Sequence, residues 1–222
     1  MRAALVSAGT AAFRLASRVR GQRAIHNRGR ALTGQLTVSG GAATGVRLLD
    51  EPGSYDVLLR FSRSAGLPSR LPDVLGLAVR VVDAHGPGAH QDLLLDGAHE
   101  APLLRHLPLP RYDHLGVTHS SLLSYDVGGG RLLVGARALP GSRAAMTLAE
   151  VPDDVGLALL VATPYGPWRQ VGVLRGDGEL PAPQGRQLRF SPVSSGGGLG
   201  PPKLFASWRA QAYPVTHVGP DA

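Results

Sequence analysis

The sequence predicts a mainly β, antiparallel fold, a barrel or a sandwich. Three observations carry this. From residue 34 onward, about nine short alternating or apolar segments follow one another. Turn-forming residues separate them, within a total of 30 Gly and 18 Pro. The 222 residues suit one domain with a sizeable core, and they contain no internal repeat and no linker long enough to split the chain.

Residues 1–20 are the exception to the β pattern. They are Ala-rich, with Leu5, Phe13, Leu15 and Val19 set among Arg2, Arg14, Arg18 and Arg20. This spacing predicts a mildly amphipathic basic helical arm, distinct from a barrel domain over residues 21–222. The arm is expected to pack on the domain or on a second copy, so a homo-oligomer is a natural partner state. Arg14 and Arg18 interrupt the apolar run that a signal peptide requires. No later run approaches the roughly 18 apolar residues of a membrane span, so no stable membrane insertion is expected.

The expected strands cover residues 34–38, 55–62, 76–82, 92–95, 132–139, 156–163, 168–174, 187–191 and 204–213. Punctuation falls between them at Gly128-Gly129-Gly130, Pro140-Gly141, Pro164-Tyr165-Gly166-Pro167, Arg175-Gly176-Asp177-Gly178 and Ser194-Ser195-Gly196. Residues 98–125 break the pattern with a leucine-rich, Pro-punctuated stretch. One or two short helices across a barrel end are expected there.

Composition narrows the chemistry. Cys is absent, which excludes disulfides, thiolate catalysis and Cys-ligated zinc or iron–sulfur sites. A reducing, cytoplasmic location is compatible with that. The net charge is +7, carried mostly by Arg. Basic residues are not interleaved with aromatics, so nucleic acid is not an expected partner. A small-molecule substrate is.

Two stretches hold the candidate site residues. Arg23 and His26 lie in a Gly-punctuated segment just before a strand. A histidine there can relay protons near neutral pH, or serve as a structural hydrogen-bonding residue. Arg60-Phe61-Ser62 closes a strand otherwise made of Val and Leu. An Arg in that position calls for an anionic partner, or else extends its guanidinium to solvent. Asp92 and Asp96 fall on one side of a short strand, near His90 and His99, with Asp73 earlier. A metal site can be drawn from them, but surface loop positions describe them better, since no metal-ligand spacing is present.

The segment Arg23-x-x-His26-x-Arg28-Gly29 with Gly34 resembles the distal-histidine segment of haem catalases. Val57-Leu58-Leu59-Arg60-Phe61-Ser62 is similar to the Val-Arg-Phe-Ser segment of that family. Asp73-Val74-Leu75-Gly76-Leu77-Ala78 is similar to its Asp-x-Arg-Gly-Phe-Ala strand. Asp92 through Gly97 fall where the family has Asp-Leu-x-Gly-Asn-Asn. The four matches keep their order and cover residues 23–97.

The resemblance implies an eight-stranded catalase-like barrel with a cavity at one end and haem b as cofactor. His26 would be the distal base, and Ser62 would fix its tautomer by hydrogen bonding. Asp96 would take the place of the distal Asn, as an acceptor in place of a donor. Arg23 and Arg60 would face the haem propionates. Arg209-x-x-x-Tyr213-Pro214-x-Thr216-His217 resembles the ligand helix, which makes Tyr213 a candidate iron ligand and Arg209 its neighbour. In a competing alignment, Leu188-Arg189-Phe190 and Pro201-Pro202-Lys203-Leu204 match the last barrel strand and the segment after it, and Tyr213 then precedes the ligand helix.

The implied activity is that of a peroxide-active oxidoreductase, on hydrogen peroxide or an organic or lipid hydroperoxide. The alternatives are a haem-free barrel binding an apolar or anionic small ligand, and a phosphodiesterase of the kind assigned to some short catalase-like proteins.

Overall fold

Alternation of apolar and polar residues sorts each long strand into two faces. The computed structural model describes residues 29–64, 66–68, 70–191 and 194–200. The N-terminal arm and the strand expected at 204–213 lie outside the described residues. In β1 (Gly29–Val38) Leu32, Leu36 and Val38 are buried, while Gln35 and Thr37 face solvent. In β2 (Gly53–Arg63) Val57, Leu59 and Phe61 are buried. β3 (Asp73–Val81) contributes Leu77 and Val79, and β4 (Gln91–Ala98) contributes Leu93 and Leu95.

The remaining strands are β5 (Pro110–Arg111), β6 (Thr118–Ser120), β7 (Tyr125–Val127), β8 (Gly130–Ala138), β9 (Gly156–Ala162) and β10 (Arg169–Glu179). Their order is β2-β1-β10-β9-β8-β6-β4-β3, and β3 pairs back onto β2. Every pairing along this path is antiparallel. Eight strands therefore close on themselves, which removes the unpaired edges of an open sheet. Two short strands stand outside the circuit: β5 on β3, and β7 on β8.

An eight-stranded barrel is just wide enough for its own side chains to fill. Here Leu32, Leu59, Phe61, Leu77, Leu93 and Leu159 do so, each at 2% exposure or less. Burying one such side chain stabilises the fold by about 1.5–3 kcal/mol. The filled interior also excludes a haem-sized ligand from the middle of the barrel. Residues that bind a ligand must lie on the outer face or at a barrel mouth.

The segment Arg175-Gly176-Asp177-Gly178 reads as a turn but lies within the 11 residues of β10. It opposes a register shift between Thr33 and Gly34 of β1. A Cβ on Gly34 would overlap the Arg175 carbonyl, and one on Gly176 would overlap the Asp153 carbonyl. Glycine is used here for close backbone approach within a strand.

Residues 98–125 hold less helix than expected. One 3-10 turn, Leu104–His106, stands with β5, β6 and the start of β7, strands too short to show a two-residue period. The strand expected at 187–191 is also absent. A short helix, Ala182–Gln187, ends there, and the chain continues in irregular form. The other helical pieces are Arg47–Asp50 and the 3-10 turn Leu148–Glu150. No described helix is long and apolar enough to cross a membrane.

Candidate functional site on the outer face of the barrel

Strand register places the candidate residues of β2, β3 and β4 in rows. Ser62 stands opposite Gly29 on one side and Gly76 on the other, and Gly76 stands opposite Asp96. The row Gly29, Ser62, Gly76, Asp96 continues to Ser120 on β6. One step along the barrel, Arg60 stands between Ala31 and Ala78, and Ala78 is followed by Leu94. The alternate residues Leu59, Phe61, Leu77 and Leu95 fill the core. Both rows therefore belong to the outer face.

The small residues in these rows let the polar side chains lie flat. A Cβ on Gly76 would meet Ser62 Oγ at 2.7 Å, Ser64 Oγ at 3.7 Å and Asp96 Oδ1 at 3.8 Å. Three side-chain oxygens thus converge over one glycine. A Cβ on Gly29 would lie 2.8 Å from Arg60 Cζ and from Nη2. The Arg60 guanidinium therefore rests against the β1 backbone at the position opposite Ser62. The result is a level polar surface, with a cation and a hydroxyl side by side.

Burial lowers the affinity of Arg60 for its proton, and the charge of Arg189 lowers it further. Arg189 belongs to a segment held against the same face. Arg80 on β3 donates Nε to Asp92 Oδ1 and Nη2 to Asp92 Oδ2, both at 2.7 Å. Arg80 Nη2 also donates to the Arg189 carbonyl at 2.5 Å, and its guanidinium lies 5.3 Å from the centre of the Phe190 ring. Ser191 N donates to Asp92 Oδ2, and Asp92 N donates to the Ser194 carbonyl. Asp92, with no exposure, is thus an organising carboxylate rather than a loop residue.

Asp73 departs from its expected surface position as well. It is 2% exposed and pairs with Arg63 at 3.7 Å. Among the described residues, no three His, Asp or Glu side chains gather in a way that could hold a metal ion. His90 Nδ1 accepts from Asp83 N, and His99 Nδ1 accepts from Ala101 N. Of the residues singled out from sequence, Arg60, Ser62 and Asp96 come together on the outer face. Arg23, His26, Arg209 and Tyr213 lie outside the described residues.

A second polar group was, apart from Asp73, not singled out from sequence. Arg63, Asp73, His114 and His119 meet at one barrel mouth, beside Phe61 and Leu75, all buried. The His114 ring packs edge-on to Phe61 with centres 6.2 Å apart. Burial holds the His114 ring down to about 4, helped by the charges of His119 and Arg63 and opposed by Asp113 and Asp73. The available signal was His114-x-x-x-x-His119 in an otherwise apolar stretch.

No family model matches the chain, and no curated protein matches it by sequence. A solved structure of a bacterial catalase is similar, with a TM-score of 0.60 at 13% identity. The match covers 90% of this chain and 58% of that one. The barrel is catalase-like. At this level of identity the likeness concerns the fold. The chain spans little more than half the length of that catalase, so the catalase-like barrel, and not the whole enzyme, is what the two share.

Proposed function

We propose that the outer face between β1 and β4 binds a flat anionic ligand, and that the ligand is haem b serving peroxide chemistry. The observation that carries this reading is the pair Arg60 and Ser62, laid flat over Gly29 and Gly76 with Asp96 in the same row. A planar group can approach a level surface closely. The Arg60 fork suits a carboxylate, and Arg189 adds a second positive charge beside it.

The described residues fit one side of such a group. Arg60 would hold an acidic substituent, with Arg23 expected to join it. Ser62 would hydrogen-bond one ring nitrogen of His26, leaving the other free to take a proton from a peroxide oxygen and return it to the second oxygen. Gly29 follows His26 by three positions, a span of at most roughly 10 Å, so the chain is short enough for this contact. Asp96 would accept a hydrogen bond from the substrate or from Ser62. Bound haem would supply the redox chemistry, with Tyr213 as the expected iron ligand and Arg209 beside it.

Haem titration of the purified chain tests the proposal. A Soret band should appear in the wild type and weaken in Arg60→Leu. Peroxide consumption should fall by about 10²–10⁴-fold in His26→Ala, the usual worth of a positioned general base. Absence of any Soret band on titration would overturn haem as the ligand. The haem-free reading keeps one specific support, the Arg60 and Arg189 charges, which favour an anion whatever its nature. A thermal-shift panel of small carboxylates and phosphates tests that reading.

A further inference from the structure

The barrel mouth holding Arg63, Asp73, His114 and His119 carries an unusual concentration of unmet hydrogen-bonding capacity. Eight buried side-chain atoms among the described residues lack a hydrogen-bond partner. Five of them are here: Arg63 Nε and Nη1, both ring nitrogens of His114, and Nδ1 of His119. Native proteins satisfy nearly all such groups, so the four on Arg63 and His114 point to a guest.

The neighbours limit what the guest can be. Arg63 Nη2 is committed to the carbonyls of Leu71 at 2.5 Å and Pro68 at 3.3 Å. Asp73 Oδ2 accepts from Leu67 N at 3.1 Å and stands 3.7 Å from Arg63 Nε, an ion pair without a hydrogen bond. Asp113 Oδ1 is taken by Leu115 N and Ala145 N. His119 Nε2 lies 3.1 Å from the His114 carbonyl and donates to it, and the Leu75 carbonyl is a second backbone acceptor facing the ring, so His119 is held by backbone rather than by a guest. Burial disfavours the charged form of His119, against the His114 carbonyl, the charge of Asp96 on the outer face, and the Leu75 carbonyl.

With both histidines neutral, Arg63 and Asp73 balance each other among the fully buried side chains, while the partly exposed Asp113 carboxylate acts on His114 from the rim and is held by the Leu115 and Ala145 amides. Protonating His114 alone would leave an uncompensated buried charge, and so would an anion entering alone. Together they cancel. A protonated His114 presents two N–H donors, and Arg63 Nε and Nη1 supply more, a set that suits an acceptor-only guest. A cation finds no ligand in Arg63, and a dianion would leave the site charged.

We propose that this barrel mouth binds one small monovalent anion, of the size of a halide or nitrate, together with one proton on His114. The four side chains are exposed by 7% at most, which restricts the guest to a few atoms. The site lies inside the barrel wall, separate from the outer face that carries Arg60 and Ser62, so the two proposals stand or fall independently.

Thermal unfolding of the full chain tests it, in sodium chloride against sodium gluconate at equal ionic strength, at about pH 5 and about pH 8. Chloride near ten times its Kd should raise the Tm by roughly 3–6 °C at the lower pH. Above the pKa that His114 has with the anion bound, affinity should weaken by about tenfold per pH unit, so the shift should vanish at the higher pH. His114→Leu and Arg63→Met should each abolish the chloride effect. Should either variant fail to fold, anomalous scattering from bromide-soaked wild-type crystals grown at acid pH decides. A bromide peak between Arg63 and His114 is expected. Equal Tm values in the two salts, a chloride shift that survives His114→Leu, or an empty mouth in the bromide data would overturn the proposal.

Discussion

Arg80 grips Asp92 through two hydrogen bonds of 2.7 Å, from directly opposed positions on β3 and β4. The pair does more than join neighbouring strands. Its remaining donors and acceptors hold the backbone of Arg189 and Ser191, which brings a second arginine beside Arg60. Asp92 has no side-chain exposure, so removing its partner strands a buried charge. Arg80→Leu should cost on the order of 2–4 kcal/mol in chemical denaturation. Hydrogen exchange should report the loss first at the Ser191 and Ser194 amides. Unchanged protection there would show that the pair does not anchor the segment.

Gly76 and Gly29 should matter for ligand binding more than for stability. In Gly76→Ala, the new methyl meets Ser62 Oγ, a short side chain that can rotate away. In Gly29→Ala it meets the Arg60 guanidinium, the far end of a flexible side chain. Each variant should stay within about 1 kcal/mol of the wild type in stability. Haem affinity, read from the Soret titration, should drop several-fold in both. Wild-type affinity in both variants would remove the flat-surface argument.

Core truncation serves as the contrasting case. Phe61 alternates with Arg60 and Ser62 on the same strand, yet it lies inside the barrel at 0% exposure. Phe61→Ala should cost about 3–5 kcal/mol. Ser62→Ala, one residue further on, should cost no more than about 1 kcal/mol, since it removes one hydroxyl outside the apolar core and leaves no cavity there. Urea denaturation of the two variants checks the assignment of inner and outer faces. Similar losses in both would contradict it.

Acid should weaken the fold through His114. Its pKa is about 4 in the folded chain, against about 6.5 when unfolded. A depressed histidine pKa means that the unfolded state binds more protons between these values. The stability due to the neutral ring is therefore complete above about pH 6.5 and is lost as pH falls toward 4. At 1.36 kcal/mol per pKa unit, the loss approaches about 3 kcal/mol. In gluconate buffer, His114→Leu should show a flatter stability curve over that interval than the wild type. Parallel curves would remove His114 as the source.

Much of the strand pattern was legible in the chain because period-2 alternation survives in segments such as Gln35-Leu36-Thr37-Val38. Where it is interrupted, the reading slipped. Gly176 and Gly178 looked like a turn because close approach between strands uses the same residue as a reversal of the chain. β5, β6 and β7 have two or three residues each, fewer than any periodicity needs. The outer-face site was half legible. Arg60, Ser62 and Asp96 stood out as polar groups at the ends of apolar segments, whereas His114 and His119 were passed over as part of a leucine-rich stretch.

The sequence by itself determined that the chain is mainly β, that it carries no thiol chemistry, and that Arg60, Ser62 and Asp96 are polar exceptions within apolar strands. It did not determine which way they point. Val57, Leu58 and Leu59 are all apolar, so either face of β2 could have turned inward. Closure of eight strands decided it, by filling the narrow interior with Leu59, Phe61 and Leu77 and leaving Arg60 and Ser62 outside. Register did the rest. Pairing over long sequence separations set Ser62 between Gly29 and Gly76, and Arg60 between Ala31 and Ala78. Such neighbours are invisible along the chain because they become neighbours only when the backbone hydrogen bonds of distant strands are made.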